Sequence, residues 1–147
     1  MFRGRYEHTI DAKGRTSVPA RYRDALSAAG ERRIVLTSAL DTCLVAYAPQ
    51  EWAAFEERLG RLSQFDPAVK KLRRIYVSGA VECEIDDVGR ILVPPTLRDH
   101  ARLTKEVVWA GAGRYAELWD KEAWARHFET TDDERRTMSA RLAELGL

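Results

Sequence analysis

The sequence predicts an α+β fold in which one unit of strands and helices occurs twice. Residues 10–24 read IDAKGRTSVPARYRD and residues 85–99 read IDDVGRILVPPTLRD, with identity at eight of fifteen positions. Strand-like and helix-like patterns then follow in the same order in both halves of the chain. We expect the two copies to share a core, because a unit of about 70 residues buries little surface alone.

Each unit is expected to begin with a half-buried strand. Apolar and polar residues alternate with the period of two that is typical of a strand with one buried face. The inward positions are Tyr6, His8 and Ile10 in the first unit, and Val81, Cys83 and Ile85 in the second. Since His8 shares its position with Cys83, we predict a core residue there and not a metal ligand.

An Asp-x-x-Gly-Arg turn follows each of these strands. We expect Gly14 and Gly89 to supply the positive φ that a tight turn needs. We expect Asp11 and Asp86 to accept hydrogen bonds from the loop N–H groups. The returning strands, residues 16–18 and 91–93, end at Pro19 and Pro94, because proline cannot donate a ladder hydrogen bond.

A short helix, a β-hairpin and an amphipathic helix complete each unit. The short helices are residues 20–29 and 95–103, and the hairpins pair 33–37 with 43–47 and 106–109 with 116–119. The amphipathic helices carry Trp52, Phe55 and Leu59 after Pro49, and Trp124 and Phe128 after Asp120, which is the expected N-cap.

Two further helices are predicted outside the repeat. One joins the units, with Asp66 as its cap, Pro67 as its first residue, an apolar face of Val69, Leu72, Ile75 and Tyr76, and a basic run of Lys70, Lys71, Arg73 and Arg74. The other starts at a capping box of Thr131 and Glu134 and carries Met138, Leu142 and Leu145 at helical spacing. Their apolar faces either contact another subunit or pack on the same chain, and the sequence favours neither.

These patterns divide the chain into four segments. Residues 5–50 form the first domain, 51–78 a helical connector, 79–122 the second domain, and 123–147 the C-terminal helices.

The strongest candidates for a functional role are the arginines at the two turns. Each turn presents one arginine, Arg15 or Arg90, beside a carboxylate that can orient it, Asp11 or Asp86. The planar fork of arginine suits bidentate hydrogen bonds to guanine or to phosphate. The alternative is an internal ion pair between each arginine and its own aspartate, but the occurrence of the motif twice favours a binding role.

The charge around the first turn adds a second indication of nucleic-acid binding. Residues 1–23 hold six basic groups (Arg3, Arg5, Lys13, Arg15, Arg21 and Arg23) against two acidic ones. Such a patch can neutralise phosphates, although a solvated surface is the alternative. Glu82, Glu84, Asp86 and Asp87 surround Arg90, so the two turns are not expected to be equivalent on DNA.

Other classes of function lack support in the sequence. The net charge of +1 is too small to indicate nucleic-acid binding by itself, so any basic face must be local. No nucleophile motif, P-loop or metal-binding spacing occurs, so we predict no enzyme, no cofactor, no metal and no small-molecule substrate.

No apolar run is long enough for a membrane span or secretory signal, which predicts a cytoplasmic protein without membrane contact. Cys43 and Cys83 are expected to be reduced and structural.

Several stretches resemble one bacterial family over nearly the whole chain. The opening MFRGRYEHTIDAKGRTSVPARYR, the paired DxxGR motifs, GRILVPPTLRDHA and KEVVWAGAGRYAELWDKEAW are similar to the MraZ family of regulators. The family signature Asp-x-x-x-Arg maps onto Asp11 with Arg15 and Asp86 with Arg90.

The resemblance implies a fold, an assembly and a target. It implies two tandem SpoVT-AbrB modules, whose swapped hairpins form one intramolecular, β-barrel-like pseudo-dimer. It also implies a homo-oligomeric ring, most simply an octamer, that binds double-stranded DNA in the nucleoid. The expected targets are short direct repeats upstream of the division and cell wall gene cluster, which includes the family member's own gene, usually with repression.

A second class of function uses the same kind of fold. Antidote proteins of toxin pairs also have swapped-hairpin folds, followed by a partner-binding segment. In this chain the C-terminal stretch keeps helical periodicity and a capping box, which favours folding on its own over disorder that awaits a partner.

Overall fold

A computed structural model describes residues 1–147 and confirms the α+β class. The elements in chain order are β1 (Arg5–Thr9), β2 (Arg15–Ser17), α1 (Ala20–Ala28), β3 (Arg33–Ser38), β4 (Leu44–Tyr47), α2 (Pro49–Gly60), α3 (Pro67–Tyr76), β5 (Val81–Glu84), β6 (Arg90–Leu92), α4 (Pro95–Ala101), β7 (Glu106–Gly111), β8 (Tyr115–Asp120), α5 (Lys121–Phe128) and α6 (Asp132–Glu144). The order within the two halves is the one that the repeat predicts.

The two halves exchange strands. Six strands form one antiparallel sheet in the order β1-β7-β8-β4-β3-β5, and β2 pairs with β6 in a separate two-stranded ribbon, the β2–β6 ribbon. The first strand of each half therefore joins the hairpin of the other half: Tyr6 lies opposite Trp109, and Cys83 lies opposite Ile34. This exchange is the intramolecular swap of hairpins that the resemblance implies.

The β2–β6 ribbon spans the two edges of the six-stranded sheet without closing a hydrogen-bonded barrel. On one side the Thr16 hydroxyl donates to the Thr9 carbonyl over 2.9 Å, and Ile10 and Thr16 form an isolated bridge. On the other side the Cys83 thiol lies 3.7 Å from the Leu92 carbonyl oxygen. The arrangement is barrel-like, because the ribbon bridges the gap between the two edge strands of the sheet.

The main core draws on both halves. It contains nineteen buried residues, among them Trp109, which is fully buried. The Trp109 indole N–H donates to the Ser17 carbonyl over 3.0 Å and so ties β7 to the ribbon. Tyr22 packs edge-on against Trp109 and donates its hydroxyl to the Gly4 carbonyl over 2.8 Å. Neither half encloses this core alone.

A second, aromatic cluster covers the other face of the sheet. Alternation along β3 and β4 sends one set of side chains to the main core and the other set, which includes Val35, Val45 and Tyr47, to this cluster. Helix α2 supplies Trp52 and Phe55, whose rings pack against Tyr47, and α3 supplies Tyr76, whose ring packs against Phe55. Burial on both faces explains why β3 and β4 read as continuous apolar runs.

The connecting helix has the predicted cap and orientation. The Asp66 carboxylate accepts a hydrogen bond from the Ala68 N–H over 2.8 Å. Hydroxyls of Thr37 and Ser38 on β3 donate to carbonyls in the last turn of α3, which fixes the helix against the sheet. Val69, Leu72, Ile75 and Tyr76 are half-buried, so this helix packs on its own chain.

One prediction is confirmed in position only, and one is wrong. Asp120 is the N-cap residue of α5, as predicted, but its carboxylate accepts a hydrogen bond from the Thr104 hydroxyl over 2.9 Å and makes no capping hydrogen bond. His8 is half-buried and not a core residue like its counterpart Cys83. The ribbon and neighbouring elements cover the inward face of edge strand β1 less completely at His8 than they cover β5 at Cys83.

The C-terminal helices differ in their contacts. In α5, Trp124 packs against Trp119 of the sheet and stacks on Phe128. Helix α6 has the predicted capping box, in which Thr131 and Glu134 each bond the backbone of the other over 3.1 Å. Every residue of α6 is exposed, so this helix does not pack on its own chain.

None of the helices combines the length and the apolar composition that a membrane span requires.

Candidate nucleic-acid interface

The two Asp-x-x-Gly-Arg turns have the same internal hydrogen bonds. In the first turn Asp11 Oδ1 accepts from the backbone N–H groups of Lys13 (3.0 Å) and Arg15 (2.9 Å). In the second, Asp86 Oδ1 accepts from those of Val88 (3.0 Å) and Arg90 (2.9 Å). Each aspartate therefore folds its own turn, as predicted.

The glycines have the predicted conformation. The φ angle is +92° at Gly14 and +86° at Gly89, in the region that L-residues with a side chain avoid. Each glycine N–H donates to the carbonyl of the aspartate that opens its turn, over 2.9 Å at Gly14 and 3.0 Å at Gly89. The glycines thus let the chain reverse without loss of a backbone hydrogen bond.

Both carboxylates are held in the charged form. The Arg15 N–H bond is the main cause that lowers the pKa of Asp11, with smaller contributions from the Arg15 side chain and the Lys13 N–H. The pKa of Asp86 is lowered chiefly by the Arg90 N–H and also by the Val88 N–H and the Arg90 charge. The turns therefore keep their carboxylate charge throughout the physiological pH range.

Each arginine forms an ion pair with its own aspartate through Nε, which is the arrangement considered above as the alternative to a binding role. Arg15 Nε lies 2.7 Å from Asp11 Oδ2, and Arg90 Nε lies 3.4 Å from Asp86 Oδ2. The terminal amino groups of both guanidinium groups have no hydrogen-bond partner in the chain, and the two side chains are 40% and 39% exposed. The hydrogen bond to Asp11 therefore orients Arg15, whereas Arg90 Nε is buried without a hydrogen-bond partner and is held less tightly by Asp86. Both arginines keep their terminal donors free.

The β2–β6 ribbon brings the two arginines to one surface. Thr16 and Ile91 face each other and point to the core, so that their neighbours along each strand point outward. Arg15 lies opposite Leu92 and Arg90 opposite Ser17, which makes the arginines diagonal neighbours with Cα atoms about 7–8 Å apart. Both arginines line a single open groove.

The charges beside the two turns differ. Lys13 is exposed and makes no ion pair, so the first turn presents two cations. In the second turn Asp87 lies 3.4 Å from Arg32, a weak and exposed ion pair. Glu82 of β5 binds Arg33 over 3.0 Å. Arginines of β3 and its preceding loop thus offset part of the acidic charge around Arg90.

The structure does not bring Arg3 and Arg5 to the turns. Both precede or begin β1, whose other end leads to Asp11, and strand geometry puts Arg5 roughly 20 Å from that residue. The Arg5 guanidinium lies 4.8 Å from the centre of the Phe128 ring of α5. The basic patch is therefore extended along the protein and is not confined to the first turn.

One residue of the basic run in α3 already has a partner. Arg73 donates to the Leu59 carbonyl at the end of α2 over 3.2 Å. The other three basic residues of the run are exposed, so a solvated helix face describes this segment.

Sequence reasoning counted Arg23 only as a member of the basic patch and did not assign Arg98 to this surface. Their guanidinium groups pack on the glycines of the turns, Arg98 on Gly14 and Arg23 on Gly89. The signal was present, because Arg23 and Arg98 are identical positions of the internal repeat. Their part in the site depends on contacts between the halves, which the repeat does not reveal.

The cysteines are buried in separate clusters. Burial raises the pKa of the Cys83 thiol to about 11, and burial together with Glu117 raises that of Cys43 further. The structure brings together no group of three or more His, Cys, Asp or Glu side chains that could hold a metal ion.

Comparison with known proteins agrees with this architecture. A family model described as MraZ protein, antitoxin-like, matches the chain twice, over residues 1–75 and 76–145. The chain belongs to the MraZ family. The two matched segments correspond to the two halves that exchange strands, so each MraZ unit is completed by the other.

Individual relatives match along the whole chain. The chain is 42% identical over 147 residues to the transcriptional regulator MraZ of Thermoanaerobacter pseudethanolicus, with all of both chains covered. It is 43% identical over 150 aligned residues to that of Thioalkalivibrio sulfidiphilus, again with full coverage, and 44% identical over 132 residues to that of Caldanaerobacter subterraneus, with 90% of each covered. MraZ is a family of transcriptional regulators and not of enzymes.

Proposed function

We propose that this protein is a sequence-specific DNA-binding regulator of transcription, acting as a repressor, in which Arg15 and Arg90 contact base edges. The observation that carries the proposal is the pair of guanidinium groups on one outward ribbon, both free at their terminal donors. Arg15 is fixed at Nε by a hydrogen bond to Asp11, and Arg90 lies beside Asp86 at 3.4 Å. Such a fork matches the O6 and N7 acceptors of guanine in the major groove.

The remaining residues of the proposed site have supporting roles. Asp11 and Asp86 hold the turns and orient the arginines, and Gly14 and Gly89 allow the turn geometry. Lys13 contacts the phosphate nearest the first turn. Arg3 and Arg5 contact phosphates farther along the duplex, because they lie at the opposite end of β1. The aspartates and glycines of the turns thus set the orientation of the two arginines. Lys13, Arg3 and Arg5 add affinity through phosphate contacts.

Two arginines can specify only a few base pairs, so we propose that several chains act together. A homo-oligomeric ring, most simply an octamer, would present many copies of the turns to directly repeated sites, and linked binding raises the effective concentration. The expected sites precede the division and cell wall genes, including the gene for this protein. With such targets, we expect the protein in the cytoplasm, at the nucleoid.

Helix α6 is the segment that we assign to contacts between subunits. Its apolar residues Met138 and Leu142 and its C-cap residue Leu145 are 55%, 39% and 63% exposed in the single chain. Burial of these side chains by a neighbouring copy would remove them from water. Light-scattering mass measurement of a Leu142→Asp variant should show smaller assemblies, and an unchanged mass would contradict this assignment.

The base-reading role is tested by binding to DNA from upstream of the gene. Arg15→Ala and Arg90→Ala should each lose roughly 5- to 150-fold in preference over scrambled DNA, the range that loss of a bidentate base contact gives. Arg61→Ala is the matched control, since Arg61 pairs with Glu57 on α2, remote from the ribbon. Equal preference in all three variants would contradict the proposal.

The phosphate-contact role is tested by salt dependence. Lys13→Ala should weaken binding to upstream and scrambled DNA alike, and should reduce the slope of log affinity against log salt by about one. Loss of sequence preference without a change in slope would instead give Lys13 a base-reading role.

An antidote-like protein-interaction module is the second candidate. The fully exposed α6 and the antitoxin-like description of the family favour it. In that case DNA affinity would be insensitive to Arg15→Ala and Arg90→Ala, and a toxin encoded beside the gene would protect α6 from proteolysis.

A further inference from the structure

Each turn glycine is covered by an arginine from the other half of the chain. A methyl group placed on Gly14 would lie 2.8 Å from Arg98 Nε, and one placed on Gly89 would lie 2.7 Å from Arg23 Cζ. Distances this short mean that each guanidinium group lies directly against the backbone of the turn. Arg23 follows β2 in α1, and Arg98 follows β6 in α4.

Hydrogen bonds fix the second turn on this support. Arg23 Nε donates to the Val18 carbonyl over 3.0 Å, and the Val18 N–H donates to the Gly89 carbonyl over 2.9 Å. Arg23 is thereby linked through one residue to the turn that it covers.

The first turn has the corresponding support. The Val93 N–H donates to the Gly14 carbonyl over 2.8 Å, and Arg98 reaches the Ala12 carbonyl at 3.4 Å, a weak contact. Arg98 Nε is buried without a hydrogen-bond partner. Arg98 therefore supports the first turn by packing on Gly14, with the weak Ala12 contact as its one hydrogen bond to that turn.

The crossing of the supports follows from the antiparallel ribbon. In such a pair the end of one strand lies beside the start of the other. The helix that follows β2 therefore begins beside the turn that precedes β6, and the helix that follows β6 begins beside the turn that precedes β2. The two arginines occupy equivalent positions of the repeat and cover equivalent glycines, but only Arg23 Nε has a hydrogen-bond partner.

We propose that Arg23 and Arg98 are positioning residues that act crosswise, Arg23 on Arg90 and Arg98 on Arg15. They hold the backbone of the opposite turn and do not themselves contact DNA. Each half of the chain thus sets the reading geometry of the other half. This inference rests on the proposed DNA-binding function of the turns.

Double-mutant cycles test the crossed arrangement, because residues that act through one another are not additive. Arg23→Ala should weaken binding to upstream DNA by about tenfold in the wild type and in Arg15→Ala, but should add little to Arg90→Ala. Arg98→Ala should show the reverse dependence. Additive losses in every background would overturn the proposal.

Salt dependence separates positioning from direct phosphate contact. A positioning residue leaves the slope of log affinity against log salt unchanged, whereas removal of a phosphate contact reduces that slope by about one. A reduced slope for both Arg23→Ala and Arg98→Ala would also overturn the proposal.

Amide hydrogen exchange tests the proposal without DNA. Arg23→Ala should accelerate exchange at the amides of Val88 and Arg90 and leave those of Lys13 and Arg15 unchanged; Arg98→Ala should do the opposite. Arg23→Lys keeps the charge without the planar group, so it should resemble Arg23→Ala. Acceleration in both turns together would mean general destabilisation and contradict the crossed support.

The exchange measurement also distinguishes two failures. If Arg15→Ala and Arg90→Ala leave DNA binding unchanged, the proposed function fails, while a crossed exchange pattern would still establish the support of the turns. If both variants weaken DNA binding but the exchange pattern is not crossed, only the positioning role fails.

Discussion

At the scale of the residue, the glycine in each turn has two separate reasons to be there. Gly14 needs a positive φ, and any side chain there would also meet the Val93 carbonyl oxygen at 2.7 Å and the Arg98 guanidinium at 2.8 Å. The first reason is readable from the Asp-x-x-Gly-Arg pattern. The second depends on a residue 84 positions away in the chain.

We predict that Gly14→Ala is more destabilising than Gly113→Ala. Gly113 has the same φ of +92° with open space around it, so its substitution costs only the left-handed strain of about 1–2 kcal/mol. Gly14→Ala adds the collision with backbone and should cost more. Urea unfolding of both variants measures the difference, and equal losses would show that the turn accommodates a methyl group.

A half-buried histidine makes stability depend on pH. The pKa of His8 lies below its ordinary value of 6.5, because burial and then the charge of Arg23 oppose protonation. The unfolded chain therefore binds the proton more readily than the folded chain. The stabilising contribution is present above pH 6.5 and is lost as the pH falls through the folded pKa.

We accordingly predict that the free energy of unfolding of the wild type exceeds that of His8→Gln by less at acid pH than at neutral pH. Urea titration at pH 7.5 and at pH 5 measures the free energy of unfolding of both proteins. At pH 5 the two free energies should be closer together, or their order should be reversed. A constant difference between the two proteins at both pH values would contradict the assignment.

At the scale of the element, the same capping interaction has different consequences in α3 and α6. Asp66 caps α3, which packs on the sheet, whereas Thr131 caps α6, which is exposed along its whole length. Helical pattern and cap are equally clear in the two sequences. Whether the cap stabilises the whole fold depends on what the helix contacts.

We predict that Asp66→Ala lowers the free energy of global unfolding by about 1 kcal/mol, the usual cost of a lost N-cap. Thr131→Ala should leave global unfolding of the dissociated chain unchanged and only accelerate amide exchange in the first turn of α6. Thermal unfolding and hydrogen exchange measure the two effects. A similar fall in Tm for both variants would show that α6 folds together with the core.

At the scale of the whole molecule, strand exchange makes the two repeats one cooperative unit. β1 has a strand partner only in β7, and β5 has one only in β3. Trp109 of the second half fills the main core beneath the ribbon and bonds to Ser17 of the first half. The division of the chain into segments 5–50, 51–78, 79–122 and 123–147 therefore stays a prediction from the sequence. The main core contains residues from more than one of these segments.

We predict that residues 1–78 alone do not fold as a monomer. This piece contains β1 and β2 without β7 and β6, so its strand edges and the inward faces of β3 and β4 would be exposed. It should be unfolded or pair with a second copy, which circular dichroism and light scattering would reveal. A folded monomer would contradict the shared core.

Local chemistry explains how much was predictable. The period of two in β1 and β5, the Asp-x-x-Gly-Arg turns, the prolines that end β2 and β6, and the caps of α3 and α6 are all properties of a few adjacent residues. The hydrogen-bond partner of the Asp120 carboxylate and the partial exposure of His8 were not predictable, because a competing partner and the coverage of an edge strand come from distant parts of the chain.

The sequence by itself determined that the chain holds two copies of one unit, and that each copy has a turn that ends in an arginine beside an aspartate. It could do so because repeats and tight turns depend only on residues that are adjacent in the chain. Only the tertiary structure decided that Arg15 and Arg90 share one ribbon, that Arg98 and Arg23 cover the opposite turns, and that Arg5 lies on Phe128. These arrangements depend on which strands pair across the two halves. That pairing minimises exposed apolar surface over the whole chain, so no local pattern contains it.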